Sequence, residues 1–261
     1  MESLKIDFSD YMKKSMLFSA IADFYEYSMN TNCDYDKWAQ YVLTRLGEFF
    51  SPDRKSVCGI DAACGSGYYT RALKRAGYDV SGCDISAEML TCAQKKCAEE
   101  KLNVNFSLQD ISSLKSFKKV DFITVINDGI NFVPQNKLQK TFNGFYKILN
   151  KGGVVHFDVS TEYKLRNVLA NETFCEDDDD YSYIWFNKLF EDRVQMDMSV
   201  FVRKNDLFEK RESSLCEYIH TKDSLFNTLS SAGFDVLHAD GEFGSRYFEK
   251  SERLCITAVK K

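Results

Sequence analysis

VCGIDAACGSGYYTRALKRAGYDVSGCDIS, Val57 to Ser86, decides the reading of this chain. Val57–Ala62 is apolar and predicts a buried strand. The turn that follows is built from small residues, with Gly65 and Gly67 at its tip. Tyr69, Ala72, Leu73 and Ala76 then recur at helical spacing, and Gly77 stands where a helix would be closed. Tyr78–Cys83 is a second apolar strand, ending at Asp84. Strand, glycine turn, helix and strand with a terminal acid make a nucleotide-binding shape.

Outward from this unit the alternation continues. Ser86 is placed to cap a helix carrying Met89, Leu90, Ala93 and Cys97. Val104–Leu108 and Phe122–Ile126 predict strands. Leu138, Phe142, Phe145 and Leu149 line a helix that stops at NKGG, and Val154–Val159 is a further strand. Such alternation implies a parallel sheet covered on both faces. Upstream, YMKKSMLFSAIADFYEYSM reads as helical. YDKWAQYVLTRLGEFF reads as an amphipathic helix with Trp38, Val42, Arg45 and Phe49 near one face, ended by Ser51-Pro52-Asp53. Downstream the helical period vanishes. YSYIWFNKLFEDRVQMDMSVFVRKNDLFEKRESSLCEYIH predicts three strands separated by FEDR and RKND, preceded by a solvated acidic loop, Glu176–Asp180. Thr221 then caps a helix closed by Gly233, and strands follow at Phe234–His238 and Leu254–Val259.

The 261 residues suffice for one domain with a real core. The net charge of −5 lacks the basic footprint of phosphate-backbone binding, which counts against a nucleic-acid partner. No apolar run reaches the roughly 20 residues of a membrane span, and the N-terminal stretch lacks the pattern of a signal peptide. Nine cysteines with no Cys-x-x-Cys pair, and three scattered histidines, predict neither disulfides nor a metal site, and fit a cytoplasmic setting. Three of the cysteines (Cys58, Cys83, Cys255) sit in core-like segments.

The turn also discriminates between nucleotides. A dinucleotide turn carries a third glycine, where this chain has Thr70, and Asp61 at the strand end would repel a pyrophosphate. An acid there suits an ammonium or a sulfonium. DAACGSG resembles the turn of class I S-adenosylmethionine-dependent methyltransferases, with Ala63 at the place of that family's first glycine. The resemblance runs on through Asp84, through Asp110 in LQDISSL, through Asn127 and Asp128 in INDGINF, and through LNKGGVVHFDV. It implies a Rossmann-like seven-stranded sheet, mostly parallel, with an antiparallel C-terminal hairpin. In this frame the chain is one domain. Residues 1–52 form an N-terminal helical cap, 53–160 and 220–261 the core, and 161–219 an inserted antiparallel β-cap.

The same resemblance implies S-adenosylmethionine as cofactor, S-adenosylhomocysteine as product, and no metal. Asp61, Ala63, Gly65 and Gly67 would border the methionyl part, and the helix start would meet its carboxylate. Asp84 would bind the ribose. Ile85 and Ile111 would pack on the adenine, and Asp110 would hold its amino group. Asn127 and Asp128 would lie beside the methyl. Tyr25, Trp38 and Tyr68 are candidates to face a cation. The same residues also have plainer uses: Asp84 as a helix-capping acid, Asp110 as a loop acid, Asp128 as a turn residue, Trp38 as core. In-line displacement needs a base only for a protonated acceptor, and Asp128 and Asp158, at the ends of the fourth and fifth strands, are the candidates. His156, mid-strand, is expected to be a core residue. The inserted strands resemble the caps of glycine and amino-sugar N-methyltransferases, which implies a small-molecule acceptor, an amine, and an enzyme acting as monomer or homodimer. A non-catalytic S-adenosylmethionine-binding protein and an NAD-dependent oxidoreductase are the alternatives.

Overall fold

Seven strands form the central sheet of the computed structural model, which describes residues 34–50 and 56–261. The chain enters it through helix α1 (Tyr35–Gly47), capped by the Asp34 side chain accepting from the Lys37 amide. Trp38, Tyr41, Val42 and Leu46 are its buried face, and Arg45 lies at the border, paired with Asp240. β1 (Cys58–Ala62), α2 (Tyr68–Arg75), β2 (Asp79–Asp84), α3 (Ala87–Glu99) and β3 (Phe106–Leu108) then wind to one side. β4 (Val120–Val125), α4 (Gln135–Ile148) and β5 (Leu149–Ser160) wind to the other.

β1 to β5 are all parallel. Their winding reverses between β1 and β4, which opens a crevice at the carboxyl ends of those two strands. After the second sheet, α5 (Lys222–Ala232) leads to β10 (Phe234–Asp240) and β11 (Arg253–Lys260), which pair antiparallel with each other and with β5. The order is β10-β11-β5-β4-β1-β2-β3. Apolar residues from both sheet faces and the flanking helices fill two core clusters, the larger around Ile123, Phe142, Phe145 and Phe157. His156 lies in this interior with Nδ1 against the Thr257 hydroxyl at 2.8 Å, and burial holds it neutral, its pKa near 3.

The inserted segment forms a separate antiparallel sheet. The three expected strands are β7 (Tyr181–Leu189), β8 (Arg193–Lys204) and β9 (Leu207–Tyr218). A fourth, β6 (Thr173–Asp177), pairs with β7, so the acidic run is not wholly a loop: Glu176 and Asp177 are the end of a strand. An acidic edge strand discourages pairing with further chains, which reconciles its composition with its structure. Tyr181 and Val200 of this sheet pack on Met89 of α3. Val194, Met196 and Leu215 pack on Leu165 in a single π-helical stretch, Lys164–Leu169. The sheet thereby stands over the carboxyl edge of β1–β5. The helix expected before residue 30, and the Ser51-Pro52-Asp53 stop, lie outside the described residues.

Candidate active site

The crevice between β1 and β4 widens into a cavity of about 900 Å³. That is the upper part of the roughly 300–1,000 Å³ range of small-ligand clefts. Its floor is the sheet edge, one wall is α1, and its roof is the second sheet.

The turn after β1 is shaped by backbone strain. Gly65 has φ 53° and Gly67 φ 78°, the left-handed region that glycine enters without cost. A Cβ on Gly65 would point into open space, while one on Gly67 would meet Ala93 Cβ at 2.9 Å. Gly65 therefore leaves its backbone open to a ligand, and Gly67 lets α2 sit against α3. Ala63 also lies in the left-handed region, at φ 55°. The loss of the family's first glycine is therefore not free, because left-handed backbone costs an L-residue about 1–2 kcal/mol.

Asp84 is buried and ties the turn together. Its Oδ2 accepts from the Gly65 amide at 2.8 Å and its Oδ1 from the Ser86 amide at 2.9 Å. A carboxylate has about four lone-pair sites, and the Ile85 amide also engages this one, so about one remains for a ligand. Burial raises its pKa, opposed by those amides. Asp61 is buried too, and accepts from the Thr70 hydroxyl at 2.5 Å and the Thr124 hydroxyl at 2.8 Å. Burial pushes its pKa up to about 6, so a cation beside it would favour the charged form. Asp110 caps a short 3₁₀ turn through the Ser112 amide, and Ile85 and Ile111 flank the same end of the cavity.

Across the crevice, Asn127 and Asp128 are both left-handed, at φ 65° and 64°. Two successive strained residues persist only when their surroundings hold them. The holder is Asp158, whose Oδ1 and Oδ2 accept from the amides of Asn127 at 2.7 Å and Asp128 at 3.3 Å. Arg253 Nη1 donates to Asp158 Oδ2 at 2.6 Å and to Asp128 Oδ1. Asp158 is fully buried and is not among the cavity-lining residues. Burial raises its pKa to about 6, opposed by Arg253 and reinforced by Asp128. Expected as a base, it lies behind the floor instead, with three of its roughly four lone-pair sites occupied.

Asp61, Ala63, Gly65, Asp84, Ile85, Asp110, Ile111, Asn127 and Asp128 thus share one cavity, as do Trp38 and Tyr68. Gly67, like Asp158, lies behind the wall, and Tyr25 lies outside the described residues. Trp38 is both core and site. It packs on Phe243 at 4.8 Å between centroids, and the Arg253 guanidinium lies 5.8 Å from its ring.

Two charged residues escaped the sequence reading. Arg253 opens β11, and because that strand runs antiparallel, its first residue lies at the edge where β5 ends, opposite Ser160. Burial works against its charge, but Asp128, Asp158 and Glu217 together raise its pKa. Glu217 lies on β9, where Leu215 and Glu217 are buried and their neighbours less so. The alternation was legible, but the face of a strand that looks at a site is set by packing.

These residues fit S-adenosylmethionine: an acid with a spare lone pair at the end of β2, a glycine backbone open to the cavity, an uncapped start of α2, and a buried carboxylate at about 6 beside them. A family model described as a methyltransferase domain matches residues 60–153. The chain is 28% identical over 250 residues to a candidate methyltransferase of Geobacillus sp. (strain WCH70), covering 94% of this chain and all of the relative. An S-adenosylmethionine-dependent methyltransferase from Clostridium acetobutylicum ATCC 824 superposes with a TM-score of 0.84 at 28% identity, over 92% of this chain and 97% of that one. The sugar N-methyltransferase KedS8 from Streptoalloteichus sp ATCC 53650 shares the fold, with a TM-score of 0.74 at 14% identity over 91% and 92%. The fold and these matches together support a class I S-adenosylmethionine-dependent methyltransferase.

Proposed function

We propose that the acceptor is a small molecule and that its methylated atom is an amine nitrogen. The observation that carries this reading is the composition of the cavity. Among the described residues eight of its lining side chains are acids, and two, Lys164 and Arg253, are bases. An acidic cleft concentrates small cations and disfavours phosphate-bearing polymers. The sugar N-methyltransferase named above has the same fold, which is consistent with this reading.

Bound S-adenosylmethionine supplies an electrophilic methyl group on sulfur. In this reading the chain's residues hold and orient. Asp84 accepts from a ribose hydroxyl. Ile85 and Ile111 enclose the adenine, and Asp110 takes its amino group. The Gly65 backbone and the start of α2 receive the methionyl end. Asn127 and Asp128 face the reacting centre, and Asp158 with Arg253 is a positioning pair that fixes them. The second sheet excludes water and aligns the acceptor. The cysteines, in no disulfide among the described residues, suit the reducing cytoplasmic setting included in this reading.

Calorimetry with S-adenosylhomocysteine and with NAD, followed by methyl-labelled cofactor offered with pooled amines, RNA and protein, tests the proposal. The expected result is binding of S-adenosylhomocysteine but not NAD, and label in amines. Label in RNA or protein overturns the small-molecule acceptor, and label in pooled oxygen-only acceptors, offered in a parallel reaction, overturns the amine.

A further inference from the structure

Glu217 is a buried carboxylate for which the cofactor half of the cavity has no use. It is 7% exposed and lines the cavity from β9, opposite Val194 on β8. Its Oε2 is buried with no hydrogen-bond partner among the described residues. Charged groups face it from four directions: Asp128 after β4, Asp158 on β5, Arg253 on β11 and Lys164 in the π-helical stretch. Arg253 is already engaged by Asp128 and Asp158. Three buried carboxylates therefore share one guanidinium, and Lys164 is only half-buried. A buried carboxylate without a donor is costly, so the site favours a proton or an incoming cation.

A second unpartnered group shares the cavity. Trp185 Nε1 is a buried donor with no acceptor among the described residues. Through the pairings Trp185↔Met198↔Ser213 and Leu189↔Val194↔Glu217, Trp185 and Glu217 occupy the same face of the sheet. That face lines the cavity. It thus presents an acceptor for a cation and, apart from it, a donor for an oxygen.

Resting on the amine reading above, we propose that Glu217 is the acceptor-binding carboxylate: it receives the ammonium of a hydroxyl-bearing amine and takes its proton before methyl transfer. The amine's oxygen accepts from Trp185 Nε1–H. Near neutral pH Glu217 gives its own proton to solvent as the ammonium enters, and one proton then moves from the ammonium to Glu217 Oε2, leaving a neutral nitrogen with its lone pair. That pair forms the N–C bond as the C–S bond breaks, and the C–S electrons stay on sulfur. The product leaves as a methylated ammonium, and Glu217 returns its proton to solvent. Burial, then Asp128, raises the Glu217 pKa to about 8 against Lys164 and Arg253, which suits a base near neutral pH.

The test is binding, measured by calorimetry at pH 7 with and without S-adenosylhomocysteine. The probes are trans-4-aminocyclohexanol, 1,4-cyclohexanediol and trans-4-hydroxycyclohexanecarboxylate, which share a frame and differ in charge. Wild type is expected to bind the amine about 10-fold or more tighter than the diol, with the carboxylate weakest. Amine binding should release close to one proton, read from buffers of different ionisation enthalpy. Glu217→Gln should bring the amine to the level of the diol and abolish proton release, with S-adenosylhomocysteine affinity within about twofold of wild type. If that variant does not fold, Glu217→Asp, which withdraws the carboxylate by one methylene, is read for the same loss. Equal binding of amine and diol, no binding of the amine, or amine binding indifferent to both variants overturns the proposal. A protein that takes the amine through Glu217 but ignores S-adenosylhomocysteine sinks the methyltransferase reading instead.

Discussion

Asp84 shows how one residue holds a turn and a ligand site at once. The acid expected at the end of the second strand is there, and so is its plainer use, since it accepts from the Ser86 amide at the start of α3. The two uses do not compete, because the backbone amides leave the carboxylate about one free lone pair. Asp84→Ala should weaken S-adenosylhomocysteine about 10- to 100-fold, as hydrogen bonds to a charged group contribute about 1.5–3 kcal/mol. The same change frees the Gly65 amide, so the loss should sit at the upper end of that range. Calorimetry on a folded variant checks it, and unchanged affinity would remove Asp84 from the site. Ala63 carries the opposite lesson. It stands where the resembling family has glycine, and the turn demands positive φ there.

The second sheet behaves as an element with its own task. Its packing on Met89 and Leu165 fixes it above the sheet edge, while the cofactor residues come from the turns of the central sheet. Cofactor binding and acceptor binding therefore belong to different elements. Replacing residues 163–217 by a short Gly/Ser linker should leave S-adenosylhomocysteine affinity within about 10-fold and abolish label transfer to amines. Thr161 must be kept, since its hydroxyl donates to the Ser251 carbonyl and its amide to Glu252. Solubility is checked first, because the cut exposes Met89 and Phe132. Retained transfer would move the acceptor site out of this sheet.

At the scale of the molecule, buried acids tie stability to pH. Glu217 shifts from an ordinary 4.5 to about 8 in the fold. Between those values the folded protein keeps a proton that the unfolded chain has lost, so stability falls as pH rises through the window. Asp61 and Asp158, at about 6, act in the same direction over a narrower range. Buried His156, near 3, acts with the opposite sign, but only below its ordinary value of 6.5, and His220, also lowered by burial, does the same. From pH 6.5 to 8.5 Glu217 dominates the fall, with the buried cysteines, whose pKa burial raises, adding to it at the alkaline end, so the comparison with a Glu217 variant is what separates its share. Wild-type Tm should fall across this interval, and Glu217→Gln should flatten the fall, with about 2–4 °C of Tm per kcal/mol regained. Parallel Tm curves for the two proteins would show that Glu217 does not titrate there.

The strand-and-helix order of the central sheet, the turn glycines and the acids at the strand ends were legible in the sequence. Each rests on a local period or a local backbone demand that neighbouring residues satisfy. The three long strands of the insertion were legible for the same reason. β6 was not, because its charges masked a five-residue edge strand. Arg253 and Glu217 were not either. One depends on an antiparallel strand beginning where a parallel one ends, the other on which face of a sheet meets a cavity. Asp158 was visible as an acid at a strand end, but its burial behind the loop it holds was not. A sequence sets which groups a strand carries and in what alternation. Only the packing of one sheet on another sets which of them share a low-dielectric space, and thus which is a base, a counter-ion or a brace.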